Sequence, residues 1–449
     1  MGQAGSSTEN FQKLQQQQKQ LIPGLPDEIA MDCLVRVPSK FHSNMKLVCQ
    51  SWRSLIMHAS FYRERRRSGT AEHMVCLIQP LPTPSPPLQT ESSGSDNEKS
   101  SEKEEGVDEK SSSRPPLVQH GLSIYNATHR TWHRMMRPCG ASGQVRIPMF
   151  CQCVALPASG KILLLGGWDP NTLEPVPDVY VLDLISAGGA PWRRAAPMSV
   201  ARSFFACGVV GQSTVYVAGG HDNQKNALQS AEVYDANADE WRRLPAMAEE
   251  RDECQGLSWE GDSRFWVISG YNTESQGIFR SDGECYDPTT GSWSKIEEVW
   301  PYRSVSPRGL TTAVTSNSGC QWWWFLGSRQ QQEQENGGGK ELSHNSSNIM
   351  WKVVNSAQLP SGISGGTSVS VTALGLAKDG QLQRIFVMSS NGGGRGTGTT
   401  GGECEGEGAY ILEREISNNS NGGSAAKWNN VHTPAGFSGF PYSASCLVI

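Results

Sequence analysis

Apolar runs in the second half of the chain are short and end in glycine-bearing turns. The segments LLLGGWD, VYVAGGHD and WVISGYN are three copies of one design: an apolar strand closed by a small residue and a glycine. Ahead of each stands another strand-like run, FCQCVALP, SFFACGVV and CQGLSWEG. A third element recurs as IYNATHRTW, VYDANADEW and CYDPTTGSW, in which Tyr125 and Trp132, Tyr234 and Trp241, and Tyr286 and Trp293 are each seven residues apart. Gly166, Gly219 and Ser269 hold equivalent places about every 50 residues. Each unit therefore reads as strand, tight turn, strand, glycine turn, strand, short turn and a strand begun by tryptophan. Four strands at that period predict propeller blades. Weaker copies follow in TTAVTSNSGCQWWWFLGS with NIMWKVV, and in VTALGLAKDGQLQRIFVMSSNGG with AYILEREI and KWNNV. Trp132, Trp192, Trp241, Trp293, Trp351 and Trp428 mark six blades, and the surplus terminal segment FPYSASCLVI is expected to complete the first blade and hide its edge.

Upstream the period changes. In IPGLPDEIAMDCLVRVP, Pro26 and Asp27 open a short helix with Ile29, Met31, Leu34 and Val35 on it, stopped by Pro38. Met45, Val48, Trp52, Leu55 and Ile56 then stand at helical spacing, and Arg63 to Arg67 suit a helix C-terminus. The organisation expected is a Gln-rich disordered tail over 1–20, a helical unit over 21–67 and a propeller over 72–449. Polar low-complexity insertions lie near 85–115, 329–348 and 390–408, too poor in apolar residues to form a core.

Composition narrows the chemistry. A net charge of −5 gives no basic field for nucleic acid. No run is long and apolar enough to predict a secretory signal or a membrane span, so cytoplasm, nucleus or both is the expected location. The 12 cysteines include no CxxC pair and read as reduced thiols. Two lipidation patterns, at Gly2 and at Cys446, are short; for Cys446 the competing reading is a structural strand. Gly396, Gly398 and Gly401 match GxGxxG, but a strand follows where a phosphate site needs a helix. Between residues 134 and 343 His221 is the only histidine, too few for a metal centre such as a copper oxidase would need. No metal, cofactor or catalytic activity is expected.

The two halves together resemble a known family. LIPGLPDEIAMDCLVRVP with LVCQSWRSLI looks like an F-box, and the GG, YD and W pattern looks like kelch repeats. The pair, with SFFACGVV, VYVAGGHDNQKNALQSAEVYD and ERDECQGL, resembles the plant F-box/kelch-repeat proteins, most closely the group that targets phenylalanine ammonia-lyase for ubiquitination. A related group acts on type-B response regulators of cytokinin signalling. The resemblance implies a substrate-recognition subunit of an SCF-type ubiquitin ligase: the F-box docks on the Skp-type adaptor, and through it cullin, while the propeller holds the target. It implies adaptor contacts among Leu25, Pro26, Ile29, Leu34, Val37, Val48, Cys49 and Trp52, each of which could instead serve the unit's own core. A ligase-independent kelch scaffold is the rival reading.

Strand direction places a second set of residues. Arg202, Arg251 and Arg308 precede first strands, while Trp168-Asp169, His221-Asp222 and Tyr271-Asn272 follow second strands. Antiparallel neighbours bring all nine to one rim of the ring. Arginine and aromatic side chains there suit a protein partner. For each arginine a structural ion pair, for example with Asp252 or Glu253, is the alternative.

Overall fold

In a computed structural model the described residues are 20–81, 119–135, 139–140, 143–144, 146–157, 159–185, 192–316, 319–325, 349–354, 360, 369–377, 382–389, 408–415 and 426–449. Nearly all of the tail and insertions expected at 1–20, 85–115, 329–348 and 390–408, and the glycine motif at 396–401, lie outside them.

Four helices come first: α1 (Asp27–Val35), α2 (His42–Val48), α3 (Gln50–Met57) and α4 (Ala59–Arg67). The helical spacing from Met45 to Ile56 continues through a break at Cys49, and a second break follows at His58. Cys49 is extended and its Sγ accepts from the Trp52 amide; His58 is extended and its ring accepts from the Ser60 amide. Each caps the helix that follows, so local hydrogen bonding splits what periodicity joins.

The first blade holds β1 (His73–Pro80), β2 (His120–Asn126) and β3 (Thr131–Arg134). A small hairpin, β4 (Cys139–Gly140) and β5 (Gly143–Gln144), follows. The second blade is β6 (Gln152–Leu156), β7 (Lys161–Leu165), β8 (Val179–Asp183) and β9 (Arg193–Ala195). The third is β10 (Ala206–Val210), β11 (Thr214–Ala218), β12 (Ala231–Asp235) and β13 (Glu240–Leu244). The fourth is β14 (Gln255–Leu257), β15 (Phe265–Ile268), β16 (Gly283–Asp287) and β17 (Ser292–Ile296). A sheet of β18 (Thr311–Ser316), β19 (Gly319–Phe325) and β20 (Ile349–Val354) comes next. The last blade is β21 (Val369–Ala377), β22 (Leu382–Ser389), β23 (Ala409–Glu415) and β24 (Ala426–Val431). The chain ends in β25 (Ser443–Val448).

Six equal blades do not form. Among the described residues five sheets are complete four-stranded blades, and the sheet between the fourth and the last has three strands. Its β20, the NIMWKVV segment, pairs parallel to β19. Trp351 therefore sits on a third strand, not at the start of a fourth.

The terminal strand closes the ring as its surplus position suggests. Antiparallel pairing joins β25 to β1, with Val75 opposite Cys446. The Oγ atoms of Ser443 and Ser445 accept from the amides of Cys153 and Ala155 in the second blade, at 2.9 and 3.0 Å. Ile449 and Glu72 exchange backbone hydrogen bonds. Cys446 is thus held within a sheet, and burial pushes its thiol up to about 12.

Apolar clusters lie between sheets. Leu163, Leu165 and Val179 of the second blade meet Val215, Val217 and Tyr234 of the third. Tyr216 and Val233 of the third meet Phe265 and Tyr286 of the fourth. The tyrosine–tryptophan spacing now has a cause. Tyr125, Tyr234 and Tyr286 face Trp132, Trp241 and Trp293 across the third and fourth strands. Each indole N–H then donates to a carbonyl of the preceding blade: His432, Ala196 and Pro245, at 2.8 to 2.9 Å. The glycine pair is equally constrained: Gly219 and Gly220 have φ of 70° and 82°, and a Cβ on Gly220 would lie 2.3 Å from the Ser203 carbonyl.

Candidate functional site: the propeller rim and the outer face of the helical unit

The helical unit is fastened to the ring by shared core and by a buried polar knot. Leu34, Met45, Ile56 and Phe61 pack in one cluster with Cys76, Ile124, Ile162 and Leu182 of the first two blades. Arg65, fully buried, donates to the carbonyls of Val35, Val37 and Thr70 and pairs with Glu72 at 3.1 Å. Glu72 also accepts from Ser39 and Asn126. Burial alone would raise the Glu72 carboxyl; the hydrogen bonds from Ser39 and Asn126 and the nearby His129 outweigh it and hold it low.

With that side committed, the other side stays apolar and open. Ile29 is 52% exposed, Leu47 76% and Val48 62%; Phe41 and Met57 are exposed too. A patch of that kind marks a partner site. Of the residues the resemblance implied, Pro26, Ile29, Val48 and Cys49 are exposed, and Leu25, Val37 and Trp52 are half-buried. The Trp52 indole is spent on the Leu21 carbonyl at 2.6 Å. Leu34 is corrected: at 2% exposure it belongs to the joint with the propeller. Leu47, Phe41 and Met57 were missed, because period alone cannot say which stripe of a small helix the neighbouring domain covers.

The rim lies at the far end of the strands. Arg66 of α4 donates to the Pro157 carbonyl, in the turn between β6 and β7, whereas Trp168 follows the opposite end of β7. Isolated bridges join Met149 to Trp168, Ser203 to His221 and Asp252 to Tyr271, extending the inner strands to the channel mouth in three successive blades. The mouth is linked from blade to blade. Trp168 Nε1 donates to His221 Nε2 at 3.2 Å, and His221 Nδ1 meets Asp252 at 2.9 Å. Because Nε2 accepts, the ring proton sits on Nδ1 and points at the carboxylate. Tyr271 completes the run by donating to Glu253 at 3.3 Å. The carboxylate partner of His221 is therefore Asp252 from the next blade, not its neighbour Asp222. With both ring nitrogens engaged, His221 has no lone pair left for a metal. No group of three or more His, Cys, Asp or Glu able to hold a metal occurs among the described residues.

Asp169, Asp222 and Asn272 shape loops. Asp169 accepts from the amides of Asn171 and Thr172, Asp222 from those of Gln224 and Asn226, and Asn272 from that of Ser275. Their oxygens are turned inward to the turn.

Two of the three arginines are corrected. Arg202 and Arg251 are 0% exposed. Arg202 donates to the Gly219 and Ser230 carbonyls and pairs with Glu232 at 3.0 Å; Arg251 donates to the Ser269 carbonyl and pairs with Asp282 and Glu284 at 3.1 and 3.0 Å. The ion-pair alternative holds for both, with partners on the third strand of the same blade and not Asp252 or Glu253. Glu232 and Glu284 also accept amides from the loops at Ser199 and Ala248, so each pair pins the inter-blade crossing. They cannot touch a partner.

Arg308 differs. Phe150, Phe204 and Glu253 have positive φ (57°, 55° and 49°) just before a buried residue, and Gly309 (70°) holds that place ahead of Leu310. Arg308 thus stands one position later than Arg202 and Arg251, in register with Ser203 and Asp252. Its guanidinium turns to the mouth, donates to the carbonyls of Phe205 and Cys254 and lies 5.2 Å over the Phe204 ring. It has no carboxylate within ion-pair distance among the described residues. Phe204 stacks on His221 at 5.5 Å, and Phe150 touches Phe204, Trp168 and Tyr442 at 4.8, 5.6 and 4.7 Å. Phe150, Phe204 and Tyr442 were missed; the first two precede Cys151 and Phe205 at matching repeat positions, which aligning the repeats would have shown. Half-buried aromatics beside an unpaired guanidinium form the kind of surface on which protein partners anchor. Beneath it the inner strands enclose a channel cavity of about 1070 Å³ that reaches Arg63 and Arg66 at the helical end.

Comparison with known proteins agrees with both halves. A family model for the F-box domain matches residues 22–64, and one for the Kelch motif matches residues 201–248. The chain is 46% identical over 442 residues to the F-box/kelch-repeat protein SKIP20 of Arabidopsis thaliana, covering 96% of this chain and 97% of that one. A second Arabidopsis F-box/kelch-repeat protein is 45% identical, over 97% of both chains, and a third is 34% identical over 63% of this chain and 73% of its own. Proteins of this pairing are generally substrate-recognition subunits of SCF ubiquitin ligases, acting as adaptors: the F-box binds the Skp-type adaptor and the propeller binds a protein substrate. The chain belongs to the F-box/kelch-repeat proteins.

Proposed function

We propose that this chain recruits phenylalanine ammonia-lyase to an SCF ubiquitin ligase, without catalysing a reaction itself, and so restrains phenylpropanoid biosynthesis. The observation that carries the receptor reading is the separation of two open surfaces on two units that share one core. The apolar face with Ile29, Leu47 and Val48 serves the adaptor, and the aromatic mouth with Phe150, Trp168, Phe204 and Arg308 serves the target, at the opposite end of the strands. The choice of target rests on the resemblance of SFFACGVV and VYVAGGHDNQKNALQSAEVYD to the group acting on that enzyme. Cytoplasm, nucleus or both is the location this role requires.

Reconstitution tests it. The chain, co-purified with a Skp-type adaptor, cullin and RING subunit, is expected to capture phenylalanine ammonia-lyase and extend ubiquitin chains on it. Adaptor capture without capture of the enzyme would remove the target and leave the receptor role standing. Loss of adaptor capture after Leu47→Asp and Val48→Asp supports the assigned face; unchanged capture removes that assignment.

A further inference from the structure

A second cavity, of about 870 Å³, lies between the first and last blades on the face where the helices sit. Its wall carries Arg66 and Arg67 of α4, Arg130 from the turn after β2 and Arg384 of β22, against two carboxylates, Glu260 and Glu413. The charges are not balanced from within. Arg67 is held by Glu64 at 2.7 Å, but among the described residues Arg66 donates only to the Pro157 carbonyl. The side chains of Arg130 and Arg384 make no hydrogen bond or ion pair among the described residues. Glu413, opposite Arg384 in the ladder, accepts from Asn429 at 2.8 Å instead. Arg384 Nε is buried without a partner. Buried donors are seldom left without an acceptor, and a half-buried guanidinium with none asks for one from outside.

We propose that this cleft is an anion site that takes a phosphate-bearing small molecule. Guanidinium groups from three separate elements converge on it, which suits a compact group with several acceptor oxygens better than one planar carboxylate. The volume admits ligands from a diphosphate to a nucleotide. Because α4, β1, β22 and the closing strand at Cys446 and Val448 all contribute to the wall, a bound anion would tie the F-box, the ring closure and the last blade together. The site is independent of the target proposed above.

Thermal unfolding of the full chain, titrated with sodium pyrophosphate against sodium chloride of equal ionic strength, tests it. The midpoint is expected to rise with pyrophosphate in a saturable way. Arg384→Gln is expected to weaken the response at least tenfold. Arg130→Gln changes an exposed side chain, so it is expected to weaken the response while leaving the unliganded midpoint in place. No rise beyond the chloride control overturns the proposal, and so does an equal rise in the wild type and both variants.

Discussion

The crossings into the third and fourth blades and the crossing into the three-stranded sheet each carry an arginine just ahead of an inner strand. In the first two, Arg202 and Arg251 turn into the blade and meet Glu232 or Asp282 and Glu284, with no exposed surface. In the third, Arg308 stands one residue later and turns to the mouth, over Phe204 and without a carboxylate. One step of register along an extended segment sends a side chain the other way, so the same residue type is structural in two places and available to a partner in the third. The helical unit repeats the contrast in apolar form: Leu34 is in the joint and Leu47 is in solvent.

The contrast can be tested from its strongest side. Arg251→Leu leaves Glu284 buried without its cation, while Asp282 keeps Arg280 and Lys295, and is expected to cost about 3–5 kcal/mol in urea unfolding. A cost under about 1 kcal/mol would mean that the pair does not hold the crossing. Leu34→Ala is expected to cost about 2–5 kcal/mol, whereas Leu47→Ala, on the open side, should stay within about 0.5 kcal/mol. Equal costs would erase the distinction between the two faces.

Buried imidazoles give a pH signature that the open surfaces lack. Burial, with Arg65 beside it, pushes His42 down from 6.5 to about 4, and burial with Arg384 does the same to His73. Both folded values lie below the unfolded one, so the unfolded chain binds these protons first. Stability is therefore complete above about pH 6.5 and is lost as the pH falls from there towards 4, by up to about 1.4 kcal/mol per pH unit for each histidine. His42→Gln should flatten that fall; an unchanged slope would acquit His42. A small effect on the fold is expected from Arg308→Gln, about 1 kcal/mol for its carbonyl hydrogen bonds. Target capture, by contrast, should weaken at least tenfold while adaptor capture is unchanged, and retained target capture would return Arg308 to a structural role.

Much of the architecture was legible because it is written in local pattern. The tyrosine–tryptophan spacing, the paired glycines and the surplus terminal strand each report a constraint within a few residues, and each holds a strand pair or a turn in the structure. The blade that failed the expectation is the one whose local signals were weakest, where β20 pairs parallel. The site was less legible. Position along a strand does not say whether a side chain faces a partner, as the buried Arg202 and Arg251 show, or whether an oxygen faces its own turn, as Asp169, Asp222 and Asn272 show.

The sequence by itself determined the repeat, the two-part organisation and the family, since period, turn chemistry and motif are properties of neighbouring residues. Only the tertiary structure decided that His221 shares its proton with Asp252 of the next blade, that Arg202 and Arg251 are sealed inside theirs, and which stripe of the F-box is left open. Those outcomes depend on which groups from distant segments arrive at the same place, and on burial, which makes an ion pair obligatory in one place and leaves a guanidinium on backbone carbonyls in another.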